Sequence, residues 1–285
     1  MIWRFRGREM TFEKVRIMGI LNVTPDSFSD GGEYTSEEKA AARAREMERE
    51  GADLIDVGAE STRPGAPSVP REEELRRLLP VLRKVRSEAK LPISVDTTKA
   101  EVAEAALKEG AEIINDVDGL HAAREIAGVV RKFEAGLILM HRRGTAETMQ
   151  DLASYDDVVE EVFEELDKAF RDVVSKGVEP EQIVLDPGIG FAKSPEQSLE
   201  LLSGLRRFHF SGRPVLVGPS RKSFIGAVIR KDPAERDWGS AASVALAVAH
   251  GANIVRVHRV EGMRDAVRVA EAIVKAGGQS HVRSQ

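Results

Sequence analysis

The sequence predicts an α/β fold, a closed (β/α)8 TIM barrel, on three observations. Eight short runs rich in Val, Ile and Leu recur along the 285 residues, each ending in a polar or Gly-rich turn. Amphipathic stretches of helical period lie between them. One phrase also repeats, as Glu50-Gly-Ala-Asp, Glu109-Gly-Ala-Glu and His250-Gly-Ala-Asn, each time leading from helix into strand. Continuous apolar strands suit a parallel sheet covered on both faces. A repeated helix–Gly-Ala–strand unit favours a closed barrel over an open doubly wound sheet.

Taken in order, Met1–Glu13 is mixed and charged and reads as an N-terminal strand pair closing the barrel bottom, within an extension of residues 1–14. Strands follow at Val15–Val23, Asp53–Ala59, Pro92–Thr97, Ile113–Gly119, Gly136–His141, Ile183–Gly188, Pro214–Ser220 and Ile254–Val260. Helices read at Ser36–Glu50, Arg71–Ala89, Lys99–Glu109 and Asp156–Ser175. Gly51, Gly110, Gly177 and Gly251 stand where a left-handed C-cap is expected. One domain then spans residues 15–275, and Ala276–Gln285 reads as a loose polar tail. No Gly-x-Gly-x-x-Gly follows the first strand, which weakens a dinucleotide-binding reading.

Composition narrows the functional class. Lys and Arg total 42 against 47 Asp and Glu, a net charge of −5 with both signs interleaved, so there is no basic stripe for nucleic acid. The chain has no cysteine, which rules out disulfides, thiolate metal sites and a cysteine nucleophile. No apolar run approaches the roughly 20 residues that span a bilayer, and the expected location is the cytoplasm.

In such a barrel the chemistry belongs at the C-terminal ends of the strands. Asp96, Asn115 and Asp186 sit there inside otherwise apolar runs, where an unpaired polar group is costly. Any one of them alone could be a structural network. Three on separate strands supply acceptors and an amide for a planar heterocycle rich in N–H donors. Arg63, Lys222, Arg256 and His258 also stand at strand ends and together predict an anion site at the same mouth. Ser220-Arg-Lys-Ser reads as a turn into a helix, where Ser223 serves a carboxylate or phosphate, or equally an N-cap. The segments Asn22–Gly32 and Gly58–Ala66 are long for barrel connections and read as lids. The histidines lack ligand spacing for structural zinc, whereas magnesium with substrate phosphates needs only one or two protein oxygens.

The motifs Ile20-Leu-Asn-Val-Thr-Pro-Asp-Ser-Phe-Ser-Asp-Gly-Gly and Asp56-Val-Gly-Ala-Glu-Ser-Thr-Arg-Pro-Gly-Ala resemble the two signatures of the dihydropteroate synthases, a pterin-binding barrel family. Ser94-Val-Asp-Thr, Ile114-Asn-Asp-Val, Leu139-Met-His, Leu185-Asp-Pro-Gly-Ile-Gly-Phe, Ser220-Arg-Lys-Ser and Arg256-Val-His extend the resemblance in order to His258. It implies a transferase of folate biosynthesis that condenses 6-hydroxymethyl-7,8-dihydropterin pyrophosphate with p-aminobenzoate, giving 7,8-dihydropteroate and pyrophosphate. It implies a pterin slot of Asp96, Asn115, Asp186 and Lys222 walled by Met140 and Phe191. Asn22, Thr62, Arg63, Arg256 and His258 would take the pyrophosphate, with Asn22 on Mg2+. Phe28, Thr62, Arg63, Pro64, Lys222 and Ser223 would take p-aminobenzoate, for which sulfonamides compete. Asp96, Asp186, Lys222, Arg256 and His258 are then the catalytic set, and a homodimer built on the later helices is expected. The chain departs from the family pattern at Ala192, Ser198, Arg259, Asp118 and Arg142. A pterin-dependent corrinoid methyltransferase and a noncatalytic pterin-binding paralogue are the alternative readings; pyrophosphate release dependent on both substrates and magnesium separates all three.

Overall fold

The computed structural model describes residues 1–23, 36–121 and 125–282. It opens on an antiparallel hairpin, β1 (Ile2–Phe5) and β2 (Arg8–Thr11). Arg6 and Gly7 at its turn both have positive φ, 47° and 76°, the pattern of a type I′ turn whose twist matches that of a hairpin. Eight parallel strands follow: β3 (Arg16–Asn22), β4 (Leu54–Gly58), β5 (Ile93–Asp96), β6 (Ile113–Asp116), β7 (Gly136–Met140), β8 (Ile183–Asp186), β9 (Leu216–Val217) and β10 (Ile254–Val257). Their order is β8-β7-β6-β5-β4-β3-β10-β9. The ring is closed between β8 and β9 by a bridge from Leu185 to Val215 and a 2.9 Å hydrogen bond from Leu185 N–H to the Pro214 carbonyl. Every predicted run contains a strand. β9 is far shorter than the predicted Pro214–Ser220, because Pro214 and Pro219 bring no N–H to the ladder.

Helices on the outside are α1 (Ser36–Glu50), α2 (Arg71–Glu88), α3 (Ala100–Lys108), α4 (Ala127–Phe133), α5 (Val158–Ser175), α6 (Pro195–Ser203), α7 (Ser223–Ile229), α8 (Asp237–Ala249) and α9 (Val260–Val282). The last continues to Val282, across the stretch the sequence assigned to a loose tail from Ala276. Gly277 and Gly278 within it cost a helix only about 1 kcal/mol each, and an established helix gains a bond with every added residue. Among the described residues no helix is long and apolar enough to cross a membrane.

The repeated Gly-Ala phrase has a defined job. Gly51, Gly110 and Gly251 take φ of 94°, 100° and 102°, ending the preceding helix as only glycine does cheaply. The polar residue two places on then grips the neighbouring strand at both backbone groups. Asp53 donates its N–H to the Ile17 carbonyl at 2.8 Å and accepts Ile17 N–H at 2.9 Å on its carboxylate. Glu112 does the same to Ile93, and Asn253 to Val215. Each phrase therefore sets the register of the next strand pair at the barrel base.

Two hydrophobic layers result. The larger lies between strands and helices and takes the outward-facing residues, among them Val57, Val95, Ile114, Leu139, Leu185 and Val255. The smaller fills the base of the barrel interior with Met18, Leu54, Ile113, Ile138, Val184, Leu216 and Ile254, capped by Trp3 and Phe5 of the hairpin. Trp3 and Phe5 meet edge to face at 5.0 Å, and the Trp3 indole donates to the Gln182 carbonyl at 2.8 Å. A Cβ on Gly136 would come within 3.1 Å of the Trp3 ring and of the Phe5 Cβ, so β7 begins with glycine to admit the two side chains. The strand pair expected at the bottom is there.

Candidate active site

The basal layer dictates where polar residues must lie. Side chains alternate along a strand, so the inward position two residues beyond each basal residue faces the upper interior. That rule leads from Leu54 to Asp56, from Ile113 to Asn115, from Ile138 to Met140, from Val184 to Asp186 and from Ile254 to Arg256. Register carries it around the ring: Asn22 pairs with Gly58, Gly58 with Asp96, Asp96 with Asn115, and Met140 with Asp186. The apolar-looking strands thus hold one face that is apolar apart from Asp116 at the end of β6 and one face that turns polar toward its C-terminal end.

Arg256 ties this layer together. Its Nε donates to Asp56 Oδ2 at 2.6 Å and its Nη2 to Asp96 Oδ2 at 3.2 Å. Asn115 Nδ2 donates to the same Asp56 oxygen at 3.0 Å. Asp56 is fully buried and was absent from the predicted site, although it interrupts an apolar run as Asp96 does; the same signal would have found it. Asp56 Oδ1 and Asn115 Oδ1 are buried acceptors with no partner among the described residues, which suits a ligand bearing ring N–H groups. Burial pushes the Asp96 carboxyl up to about 7, with Arg256 opposing and Asp56 adding to the rise.

Asp186 and Lys222 form the opposite wall. Gly188 N–H donates to Asp186 Oδ1 at 2.7 Å. A Cβ on Gly188, whose φ is 68°, would sit 2.0 Å from the His141 carbonyl, so the turn after β8 requires glycine. Lys222 Nζ donates to the Ile189 carbonyl and lies 4.1 Å from the centre of the Phe191 ring. Burial brings Lys222 down to about 7, with Asp186 opposing. Asp186 itself is raised by burial, against the pull of Lys222.

The cations expected at the mouth do converge. Burial, then Arg256, Arg221 and Arg63, push His258 down to about 3, so its ring is neutral, and Nδ1 lies 3.0 Å from Ser220 Oγ. Arg221 is held at φ 60° by Asp237 at 2.9 Å. Lys222 occupies the N-cap position of α7 without a side-chain cap bond; Ser223 is the first helical residue, exposed, rather than the cap. Thr62, Asp96 and Arg142 line a cavity of about 210 Å3 between the ends of β4 to β7. Arg63 and Pro64 are exposed beside it. Phe28 and most of the first expected lid lie outside the described residues.

The departures resolve into local pairings. Arg142, 6% exposed, faces Asp118 at 3.8 Å, so two departures answer each other across the ends of β6 and β7. Ser198 Oγ bonds back to the Ser194 carbonyl at 2.8 Å, within the capping box that starts α6. Ala192 takes φ 50°, the left-handed conformation that glycine adopts freely. Arg259 lies 3.5 Å from Asp237 on the surface.

Among the described residues no group of three or more His, Cys, Asp or Glu side chains is arranged to hold a metal. Asn22 is placed differently: its Oδ1 is 3.8 Å from where a Cβ on Gly58 would stand, so the glycine leaves space in front of the amide oxygen. One hard oxygen of this kind suits magnesium that takes its other ligands from phosphate and water.

Comparison with known proteins places the chain in a family. Residues 18–258 match the model of the pterin binding enzyme family. A dihydropteroate synthase of Synechocystis sp. is 48% identical over 262 residues, covering 92% of this chain and 91% of the relative. The dihydropteroate synthase of Xanthomonas albilineans with 4-aminobenzoic acid superposes with a TM-score of 0.87 at 44% identity, over 94% of this chain and 96% of the other. That of Yersinia pestis in a sulfonamide drug complex gives 0.89 at 37% identity, over 96% and 99%. The chain belongs to the pterin binding enzymes, and within them to the dihydropteroate synthases, the transferases of folate biosynthesis.

Proposed function

We propose that Asp96, Asn115, Asp186 and Lys222 hold the pterin ring of 6-hydroxymethyl-7,8-dihydropterin pyrophosphate while Arg256, His258, Arg63, Thr62 and Asn22 receive its pyrophosphate. The observation that carries this is the Arg256 tie. One half-buried guanidinium spans Asp56 and Asp96 on the pterin side and stands close enough to His258 to depress its basicity. Ring and leaving group would therefore meet on either side of Arg256.

The reaction breaks the bond between the methylene carbon and the pyrophosphate oxygen and forms a bond from that carbon to the p-aminobenzoate nitrogen, which loses a proton. Carboxylates at Asp96 and Asp186 favour a ring that shares positive charge as the bond breaks, and the cations favour the departing anion. This supports a dissociative, SN1-like path. Asn22 would hold Mg2+, which when bound shares the pyrophosphate charge. The aryl amine is already nucleophilic and needs placing; Thr62, Arg63, Pro64, Lys222 and Ser223, with Phe28, would form that subsite, and sulfonamides would compete there. Met140, buried beside Asp186 in the register, and Phe191 would wall the ring.

The assay is pyrophosphate release with each substrate and magnesium omitted in turn. Release that needs all three is expected. Release without p-aminobenzoate, or none in Arg256→Met and wild type alike, rejects these roles. For assembly we propose a homodimer on α8 and α9: Trp238, Ala242 and Leu246 recur at helical spacing on the exposed face of α8, Trp238 being 86% exposed, and Val269 and Ile273 do so on α9. Trp238→Glu should give a monomer in sedimentation; an unchanged dimer, or a monomeric wild type, refutes that interface.

A further inference from the structure

The loop after β8 is held from two sides. Its residues Gly188, Gly190 and Ala192 take φ of 68°, 79° and 50°, and the carbonyls between them point at two lysines. Lys222 donates to the Ile189 carbonyl, and Lys193 Nζ to the Phe191 carbonyl at 2.8 Å. Lys193 is 2% exposed and among the described residues bonds no carboxylate; its other partner there is His141 Nδ1 at 2.9 Å. His141 is fully buried, and its Nε2 lies 3.0 Å from Glu165 Oε2 on α5. Arg143 closes the far end, donating to Glu165 and, at 2.9 Å, to Glu161 while its guanidinium stacks 4.0 Å over Tyr155.

Hydrogen-bond chemistry gives this chain one direction. Burial opposes ionisation of Glu165, but His141 and Arg143 outweigh it and hold the carboxyl down at about 2. An ionised carboxylate only accepts, so His141 Nε2 carries the hydrogen. Burial keeps the imidazole neutral, its basicity lowered to about 4, so Nδ1 is an acceptor and Lys193 must donate. A lysine buried without a carboxylate is costly, and a methionine of similar length would fill the same space. What the lysine adds is a hydrogen bond that fixes the Phe191 carbonyl, and with it the ring lying beneath Lys222.

We infer that Lys193, His141 and Glu165 are positioning residues for the pterin half of the reaction, acting on the substrate through Phe191 and the Ile189–Lys222 contact. The inference rests on the pterin slot proposed above. Burial pulls Lys193 well below its ordinary basicity, so Lys193→Met should raise KM for the pterin pyrophosphate, and Kd of a pterin ligand in calorimetry, by about three- to tenfold, the usual effect of losing an uncharged hydrogen bond. KM for p-aminobenzoate at saturating pterin pyrophosphate should stay within about twofold. Glu165→Gln, near the surface, should shift the pterin constants the same way by about three- to tenfold, since a neutral acceptor holds His141 less firmly. Should Lys193→Met fail to fold, Glu165→Gln decides by the same criteria. Equal rises in both KM values, or an unchanged pterin Kd with only a lower melting temperature, overturn the inference and leave a structural role. Asp186→Asn is measured alongside: if it also leaves pterin binding unchanged, the slot itself is wrong; if it alone weakens binding, the relay is.

Discussion

Replacing Asp56 tests the tie at the centre of the site. Asp56→Asn keeps the shape but removes the charge that receives Arg256 Nε at 2.6 Å and Asn115 Nδ2 at 3.0 Å. Breaking a buried ion pair by removing one partner costs about 3–5 kcal/mol. Three features lower that figure here. Arg256 keeps Asp96 at 3.2 Å, and its side chain retains 18% exposure through which water can solvate it. One amide oxygen also remains to accept a hydrogen bond. About 2 kcal/mol is a reasonable net loss, equal to roughly 4–8 °C of melting temperature for a chain of this size. Urea denaturation and calorimetry measure it. Because both side chains act in one network, Asp56→Asn and Arg256→Met together should cost at least about 1 kcal/mol less than the sum of their separate effects. Pterin affinity should fall in Asp56→Asn as well, since Arg256 loses its main anchor. Strictly additive costs, or a melting temperature within a degree of wild type with unchanged pterin affinity, would refute the view that Asp56 organises the site.

Other outcomes follow from the same features. Pterin affinity should peak near pH 7: Asp96 must ionise through about 7 to accept ring N–H groups, and Lys222 loses its proton above about 7; Asp96→Asn should abolish the acid limb in calorimetry across pH, and a retained limb would assign it to another group. Asp116, buried, titrates at about 7, above the unfolded value of about 3.9. The native state therefore holds protons from Asp96 and Asp116 that the unfolded state has released, so stability should fall as pH rises from about 4 to 7 and level off above; Asp116→Asn should soften that fall and be more stable than wild type at pH 8 by urea titration. Ala192→Gly should change stability by less than about 1 kcal/mol, relief of left-handed strain offsetting added chain entropy, whereas Gly188→Ala should be poorly folded because its Cβ meets the His141 carbonyl; comparable melting temperatures for the two would contradict the backbone argument.

Much of this was readable in the chain because the outward faces of the strands are apolar apart from Asp116 at the end of β6. Val57, Val95, Ile114 and Val255 announce strands whatever the inner face carries, and Asp96, Asn115 and Asp186 stand out against them. Asp56 was equally legible and passed over. Other features depend on contacts between distant residues. The pairing of Asp118 with Arg142, and of His141 with Lys193 52 positions later, leaves no periodicity and no motif in which the partner can be found. The Gly-Ala phrases show the intermediate case: their recurrence was visible, but the two-point grip of Asp53, Glu112 and Asn253 on the neighbouring, earlier strand appears only once the register is known. The polar composition past Ala276 reads as a loose tail, although a helix already under way continues through it to Val282.

The hairpin at the base has a consequence for how the molecule is assembled over time. Trp3 rests on side chains contributed by segments as late as Leu216 and Ile254, so on a growing polypeptide it must wait, unburied, until nearly the whole barrel has been made. Contacts of such sequence separation slow folding, and the waiting aromatic pair is a surface on which unfinished chains can stick together. Dilution and low temperature during refolding should favour recovery for that reason. Trp3 also makes a useful clock. It is buried while the only other tryptophan, Trp238, stands exposed, so in a Trp238→Phe background the blue shift of indole emission would time the moment at which the base of the barrel closes.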